Sequence, residues 1–197
     1  MTDSPARGRR PGSPDTRAAI LEAARAMFAE RGFQGASIRA IAARASVDPA
    51  LVHHYFGTKD DLFLASLDVP VDPRELLLPV VALGADGAAE RMLRVFLSVW
   101  DDPELRTPMI GVARRAFEPS GQKLIRDGFL NVLLGPIGAA LGIDRPELRM
   151  PLVASQVFGL IVMRYVLELE PLASMPADRL VATYAPTLQR YLTGDLP

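Results

Sequence analysis

Apolar residues in the first third of the chain recur at intervals of three and four, the spacing that lines one face of an α-helix. The first predicted helix opens at Ser13 and Pro14 and closes at Gly32 and Phe33, where a glycine C-cap is followed by an apolar residue. Its buried face is predicted to consist of Ile20, Ala24, Met27 and Phe28.

Two further helix starts follow within a few residues. Ser37 stands as an N-cap before a short helix, and Asp48 followed by Pro49 opens the next one, because proline lacks only an N–H that has no partner at that position. Gly57 then ends the helix, and Thr58 with Asp61 forms a capping-box-like start for another. The apolar positions of the two short helices are Ile38, Ile41, Ala42, Ala45, Val47, Val52 and Phe56.

Two short helices joined by a tight turn and followed by a freshly capped helix are typical of a helix-turn-helix that reads DNA. A helix is about 10 to 12 Å across, which fits the major groove of duplex DNA. The segment 15–67 is therefore predicted to be a helix-turn-helix DNA-binding domain.

The remaining two thirds of the chain lack the alternation that is typical of strands, and helical periodicity predicts an all-α protein. Helices are predicted over 88–100, 122–134, 152–169 and 177–192, with breaks at 101–108, 118–121, 135–146 and 171–176, where proline, glycine or capping residues cluster. We expect a flexible basic arm over 1–14 and a helical effector-binding and dimerisation domain over 68–197.

Composition narrows the classes of function. The 197 residues are 49% hydrophobic, enough for a sizeable core, and the net charge is −1. Residues 1–66 carry nine Lys and Arg against seven Asp and Glu, so the weak positive bias lies at the predicted DNA-binding end. The absence of cysteine excludes disulfides and thiolate metal sites. No pattern typical of a signal peptide or a membrane span is present, which predicts a cytoplasmic protein.

The segment from Thr16 to Leu67 resembles the DNA-binding domain of the tetracycline-repressor (TetR) family of bacterial transcription regulators. The resemblance rests on IRAIAARA, the turn, VHHYF and GTKDDL in the family's order and spacing. The sequence departs from the family at Ser46, because the family usually has glycine at this turn position. Serine enters the left-handed region less readily, so we expect slight backbone strain and no change of fold.

The resemblance implies which residues face DNA. The start of the third helix would face the base edges, and Tyr55 and Lys59 occupy the family's phosphate-contact positions. Arg39 is the candidate reader of guanine, and Ser37 with the first amides of its helix is a candidate phosphate clamp. Three arginines of the arm, Arg7, Arg9 and Arg10, could enter an adjacent minor groove. The residues expected on the base edges are Pro49, Ala50, Leu51, His53 and His54.

Other roles remain open for several of these residues. Tyr55 and Phe56 could both belong to the core, which we prefer for Phe56. The arginines of the arm could be a solvated tail. His53 and His54 are adjacent, so their side chains point about 100° apart on a helix and do not form a joint metal site. No metal and no cofactor are expected.

The last two long helices offer more apolar surface than one small domain buries, which predicts a homodimer. In the TetR family the last long helices pair with their copies as a four-helix bundle. The alternative is that the same residues pack within the core of one subunit. The expected interface residues are Val157, Ile161, Leu180, Tyr184, Leu188 and Tyr191.

Large or soft apolar side chains in the C-terminal segment are candidates for an effector pocket, since the family is controlled by small ligands bound in that domain. Such a pocket would suit an apolar or aromatic effector. Core packing is the alternative for each of these residues. The candidates are Phe96, Trp100, Met109, Phe117, Phe129, Phe158 and Met163.

Together these features predict a repressor that binds a palindromic operator as a homodimer and is released by a small molecule. A helical adaptor of the same fold, acting through a protein partner, is the alternative that the uncharged surface of Pro49, Ala50 and Leu51 keeps open. An enzyme is not expected, because the sequence offers no cysteine nucleophile and only two adjacent histidines.

Overall fold

A computed structural model of the chain describes residues 14–115, 117–118, 121–122 and 125–197. The chain divides into two compact units that meet between Leu67 and Asp68. Helices account for all the regular secondary structure of the described residues, so the prediction of an all-α fold is confirmed. The helices are α1 (Pro14–Gly35), α2 (Ile38–Arg44), α3 (Pro49–Phe56), α4 (Lys59–Leu67), α5 (Pro73–Val81), α6 (Ala88–Trp100), α7 (Pro103–Arg115), the π-helical α8 (Ile125–Leu134), α9 (Gly135–Leu141), α10 (Pro146–Ile161) with a π-helical continuation (Val162–Val166), and α11 (Ala177–Thr193).

The first unit is held together by one apolar core under α2 and α3. The predicted buried face of α1 is confirmed, since Ile20, Ala24, Met27 and Phe28 are all buried. Phe28, Phe33 and Phe63 pack as a cluster with ring centroids 5.3 to 5.9 Å apart. Aromatic pairs at this separation stabilise a core beyond the area that they bury.

The end of α1 differs slightly from the prediction. Gly32 has φ 70°, so the helix is interrupted where the glycine was expected to end it. A further turn then extends the helix to Gly35. The kink brings Phe33 into the core, where its side chain is buried.

The core of the second unit lies among α5, α6 and α8 to α11. Leu93 and Leu97 of α6, Ile137 of α9, Leu160 of α10 and Leu188 of α11 are all buried in it. The predicted boundaries of α6 are confirmed, and α11 extends one residue beyond its prediction.

Two of the predicted breaks are wrong. Helix α7 runs through 103–115, because Asp102 accepts hydrogen bonds from the amides of Glu104 and Leu105 and Pro103 takes the first helical position. Helix α9 occupies Gly135–Leu141, and its Gly138 packs closely against α10. Helix α5 was not predicted, and it begins in the same way as α7, at a proline preceded by a capping aspartate.

The long helix predicted over 152–169 starts earlier and ends earlier than expected. It begins at Pro146, and its π-helical continuation ends at Val166. Glu168 lies beyond the end with φ 52°, a conformation that a right-handed helix does not allow. Of the helix predicted over 122–134, residue 122 is helical and residues 125–134 form a π-helix, while 123 and 124 lie outside the described residues.

A buried arginine ties α10 to the end of α11. The guanidinium of Arg149 donates hydrogen bonds to the carbonyl oxygens of Tyr191 and Gly194 at 2.9 and 3.0 Å. It also pairs with Asp144 at 2.9 Å, which lowers the pKa of that carboxyl. The last carbonyls of α11 therefore receive donors that the helix itself does not supply.

Candidate nucleic-acid interface

The turn between α2 and α3 sets the direction of α3. The amide of Val47 donates to the carbonyl of Ala42, and the amide of Ser46 donates to that of Ala43. This pair of bonds is a Schellman motif, which needs a left-handed residue directly after the helix C-cap. Ser46 takes that place with φ 56°, so serine adopts the left-handed conformation without a change of fold.

Ser37 caps α2 as predicted. Its hydroxyl oxygen accepts a hydrogen bond from the amide of Ala40 at 3.2 Å. Arg39 lies in the first turn of the same helix with an exposed side chain. The capped end of α2 therefore presents an exposed guanidinium in its first turn, at the opposite end of the helix from the turn that leads into α3.

The start of α3 is also capped as predicted. A carboxylate oxygen of Asp48 accepts a hydrogen bond from the amide of Ala50 at 2.7 Å, and Pro49 takes the first helical position. Ala50 is exposed, whereas Pro49 and Leu51 are half-buried. Val52 and Phe56 lie on the opposite side of the helix and are buried, which fixes the face that α3 presents to solvent.

Both histidines of α3 are exposed, but their rings differ in what they bind. The Nδ1 atom of His53 lies 2.8 Å from the carbonyl oxygen of Gly57. In return the amide of Gly57 donates to the carbonyl of His53. The ring of His53 is therefore fixed against the end of α3. The ring of His54 packs edge-on against Tyr55, with centroids 5.3 Å apart.

Tyr55 is half-buried, and its hydroxyl oxygen lies inside the unit. That oxygen has no hydrogen-bond partner among the residues that the structure describes. A phosphate contact would require the ring to turn outward. The geometry favours the core role for Tyr55, and the phosphate role remains a prediction.

Lys59 begins α4 beside the turn that follows α3. Thr58 and Asp61 form the predicted capping box, with each amide donating to the other residue's side chain at 3.0 and 3.1 Å. The ammonium of Lys59 lies over the ring of Phe33, 4.4 Å from its centroid. Partial burial at this place lowers the pKa of Lys59 despite the nearby carboxylate of Asp60.

One cation near α3 was not singled out from the sequence. The guanidinium of Arg17 lies 5.0 Å from the centroid of the Phe56 ring, at the end of α3. Its only sequence signal is its place one turn into α1, which does not separate it from other surface arginines. Arg44 is engaged elsewhere, in an ion pair with Glu30 at 2.8 Å. Arg7, Arg9 and Arg10 lie outside the described residues.

The second unit contains a small apolar cavity of about 70 Å³. All the side chains around it are apolar, so it offers no hydrogen-bonding side chain to a ligand. Phe96 is the predicted pocket residue that lines it. The full lining is Leu77, Ala89, Met92, Leu93, Phe96, Val153, Val157, Leu188 and Leu192.

The other predicted pocket residues lie elsewhere. Trp100 stacks near Tyr165, with ring centroids 5.2 Å apart, and Met109 packs against the same cluster. Phe129 packs against the main core. Three residues, Phe117, Phe158 and Met163, are exposed, and the first two have ring centroids 5.6 Å apart.

The predicted interface residues fall into two groups. Leu180 and Leu188 are buried in the core of their own subunit, as the alternative interpretation expected for such positions. Val157, Ile161, Tyr184 and Tyr191 are half-buried. Between the first two lies Gly159 of α10, where an added Cβ atom would meet none of the described residues within 4 Å. Helix α10 thus has a flat, open position beside the exposed Phe158.

Two further features of the described residues bear on other classes of protein. No group of three or more His, Cys, Asp or Glu side chains is arranged there to hold a metal ion. Within the same residues, every helix is too short or too polar to cross a membrane.

Comparison with known sequences assigns both units. Residues 20–66 match the family described as bacterial regulatory proteins, tetR family. Residues 86–192, more than half of the chain, match the tetracyclin repressor-like C-terminal domain.

Individual relatives agree with this assignment. The chain is 52% identical over 71 residues to an HTH-type transcriptional repressor of Mycobacterium tuberculosis, a stretch that covers 34% of this chain and 38% of that protein. It is 41% identical over 70 residues to an HTH-type transcriptional repressor of Streptomyces coelicolor, covering 31% and 36%. These matches thus span little more than a third of either relative.

A solved structure resembles the chain over nearly its whole length. The crystal structure of a TetR-family regulator from Streptomyces coelicolor A3 is 41% identical and covers 94% of this chain and 98% of its own, with a TM-score of 0.47. The two family matches, of which that over 86–192 covers more than half of the chain, lead to one assignment: the chain belongs to the TetR family of bacterial transcription regulators.

Proposed function

We propose that this protein represses transcription by binding an inverted-repeat operator as a homodimer, and that a small apolar effector releases it. The observation that carries the proposal is the exposed face of α3, held at a fixed angle by the Schellman turn at Ser46. A helix presented in this way on a small rigid unit fits the major groove. Family membership supports a regulatory role rather than catalysis, in the cytoplasm where bacterial DNA lies.

Sequence readout is assigned to the exposed side chains of α2 and α3. Arg39 can donate two hydrogen bonds to guanine O6 and N7. Ala50 and Leu51 can contact thymine methyl groups, but they cannot form hydrogen bonds with base edges. Arg39 is therefore our candidate for the strongest single base preference in each half-site.

Phosphate contacts are assigned to groups at the rim of this face. Lys59 is held near the rim by its contact with Phe33, and the Ser37 hydroxyl lies at the start of α2. Arg17, packed on Phe56, adds a third group on the same unit. Such contacts set position and orientation on the duplex and carry no base preference.

Dimerisation is assigned to the outer face of α10, supported by its exposed apolar side chains and by the open position at Gly159. The half-buried Val157 and Ile161 can contact the second copy with their exposed atoms. Leu180 and Leu188 are buried in the core, so they can only support the helices that form the interface. Two reading heads related by a two-fold axis match a palindrome, which is why we expect an inverted repeat.

The effector is assigned to the apolar cavity beside Phe96. Its volume of about 70 Å³ is far below the roughly 300 to 1,000 Å³ of ordinary ligand pockets, so an effector must enlarge it. A ligand weakens DNA binding only if it binds the enlarged form more tightly than the form that fits the operator. Because the lining is apolar, the effector is expected to be apolar or aromatic.

The decisive experiment is selection of binding sites from random duplex DNA by the purified protein, followed by sequencing. An inverted repeat is the expected result and supplies the operator for an effector screen by release. If no sequence is enriched, with or without candidate ligands, the proposal is wrong and the helical adaptor is favoured. Salt separates these functions further, since phosphate binding weakens steeply with salt whereas an apolar protein contact does not.

A further inference from the structure

A contact with the end of its own helix determines which ring nitrogen of His53 donates a hydrogen bond. A carbonyl oxygen can only accept a hydrogen bond, so the 2.8 Å contact between Nδ1 of His53 and the oxygen of Gly57 requires Nδ1 to carry the hydrogen. A neutral imidazole has one N–H. The second nitrogen, Nε2, is then left with a lone pair and can only accept.

His53 also lies on the face of α3 that is open to a partner. Ala50, His53 and His54 are exposed, and residues three and four apart share one face of a helix. The remaining exposed or half-buried residues at the start of this helix, Pro49 and Leu51, have no polar side-chain atoms. Hydrogen-bonded readout by α3 therefore rests on the two imidazole rings.

We propose that His53 is a specificity-determining residue whose Nε2 accepts a hydrogen bond from the amino group of adenine or cytosine in each half-site. In the major groove adenine N6 and cytosine N4 are the donors, whereas guanine and thymine present acceptors at the corresponding edge. An acceptor facing guanine O6 or thymine O4 would place two lone pairs against each other. This inference rests on the proposed DNA-binding function and adds a base preference that Arg39 does not supply.

The bond to Gly57 makes this preference stronger than that of a free histidine. It fixes the tautomer, because the partner of one ring nitrogen determines which nitrogen is protonated. It also fixes the ring, so less side-chain freedom is lost on binding DNA. His54 has its ring against Tyr55 and serves as the matched comparison on the same helix.

The test begins with site selection at pH 8 for the unmodified protein, His53→Ala and His54→Ala. The unmodified protein is expected to select adenine or cytosine at one position that loses its preference in His53→Ala and keeps it in His54→Ala. His53→Gln is expected to narrow that position to adenine, because an amide reads adenine N6 and N7 together. Thermal unfolding of each variant establishes that it is folded.

Base analogues then identify the atom that is read. Where adenine is selected, purine without the 6-amino group is expected to weaken binding of the unmodified protein about 3- to 10-fold. The same analogue should not weaken DNA binding by His53→Ala any further. Replacing adenine by 7-deazaadenine should leave the DNA affinity of both proteins unchanged. Where cytosine is selected, the analogue without the 4-amino group replaces the purine.

The outcomes separate this inference from the function on which it rests. Failure of the unmodified protein to enrich any repeat overturns the proposed function. An enriched repeat with guanine or thymine at the position that depends on His53 overturns the acceptor role and indicates a doubly protonated ring. A repeat that His53→Ala leaves unchanged at every position shows that His53 reads no base.

Discussion

The Nη2 atom of Arg164 lies 3.1 Å from Oδ1 of Asp101, although the two residues are 63 positions apart in the chain. The hydroxyl of Tyr165 donates to the same oxygen at 2.9 Å. The Nη1 atom of Arg164 donates to carbonyl oxygens of the segment before α11, at 3.1 Å for Ala173 and 2.8 Å for Met175. One guanidinium therefore joins the end of α6, the end of α10 and the approach to α11.

Replacing this guanidinium should destabilise the second unit. Arg164→Met removes the cation that pairs with Asp101, which keeps only the Tyr165 hydroxyl of these two donors, and it removes the donor to the carbonyl oxygens of Ala173 and Met175. We expect a loss of about 2 kcal/mol in the free energy of unfolding. The loss stays below that of a fully buried pair because the Asp101 side chain is 35% exposed. Urea titration measures this change in the free energy of unfolding. Arg94→Met is the control, because Arg94 pairs with Glu90 and Asp178 at the surface and should matter little. Equal effects of the two substitutions would contradict the prediction.

Tyr165 should make the fold sensitive to alkali. Burial raises the pKa of Tyr165 well above its ordinary value, and the carboxylate of Asp101 adds to the shift. The unfolded chain loses this proton near pH 10 while the folded chain retains it, so the associated stability is complete below about pH 10 and declines above it.

Urea midpoints measured from pH 9 upward should therefore fall more steeply for the unmodified protein than for Tyr165→Phe. Tyr184→Phe, on α11, is the control and should keep the steep dependence. A Tyr165→Phe curve parallel to that of the unmodified protein would show that another group causes the alkaline loss.

Much of the first unit could be predicted because short-range chemistry determines it. The caps at Ser37, Asp48 and Thr58 act over two or three residues, and each formed the predicted hydrogen bond. Pro103 was misinterpreted because a proline at the first position of a helix has the same local pattern as a proline in a loop. Periodicity likewise indicates that Leu188 is buried, but it does not say whether its own subunit or a second copy covers it.

Ser46 should be a site of stored strain. A side chain at φ 56° costs energy that glycine avoids, so Ser46→Gly is expected to stabilise the first unit by up to about 1 kcal/mol. Ala45→Gly is the matched control, because Ala45 has an ordinary helical φ of −79° and glycine there should destabilise. Thermal unfolding distinguishes the two signs. If both substitutions destabilise the unit, the Ser46 side chain stabilises the fold by more than its left-handed backbone conformation destabilises it.

Gly159 should mark the place where two copies of α10 meet. A glycine inside a helix costs about 1 kcal/mol relative to alanine, and among the described residues of its own chain no atom lies within 4 Å of an added Cβ. Close approach of a second copy of α10 would account for a glycine at this position. Gly159→Leu should therefore weaken the dimer, which sedimentation velocity detects.

Gly111→Leu provides the control for that measurement. Gly111 lies inside α7, where the nearest atom to an added Cβ is the end of the Arg115 side chain at 4.0 Å, so a larger residue fits there as well. This variant should associate like the unmodified protein. If both variants behave alike, the interface does not include the α10 face at Gly159.

Arg39 and Lys59 should affect DNA binding in different ways. Arg39→Ala is expected to relax the preference at one base position in each half-site, because it removes a donor pair to a base edge. Lys59→Ala should weaken all sequences alike and reduce the slope of log affinity against log salt by about 0.9 for each phosphate that the lysine no longer neutralises. Site selection measures the first effect, and fluorescence anisotropy across a salt series measures the second.

Arg179→Ala is the control for both effects. Arg179 is an exposed cation of α11 in the other unit, so its replacement should change neither the base preference nor the salt dependence. If Arg39→Ala leaves every base preference intact while Lys59→Ala acts as expected, base readout belongs to α3 alone, and His53 becomes its principal hydrogen-bonding group.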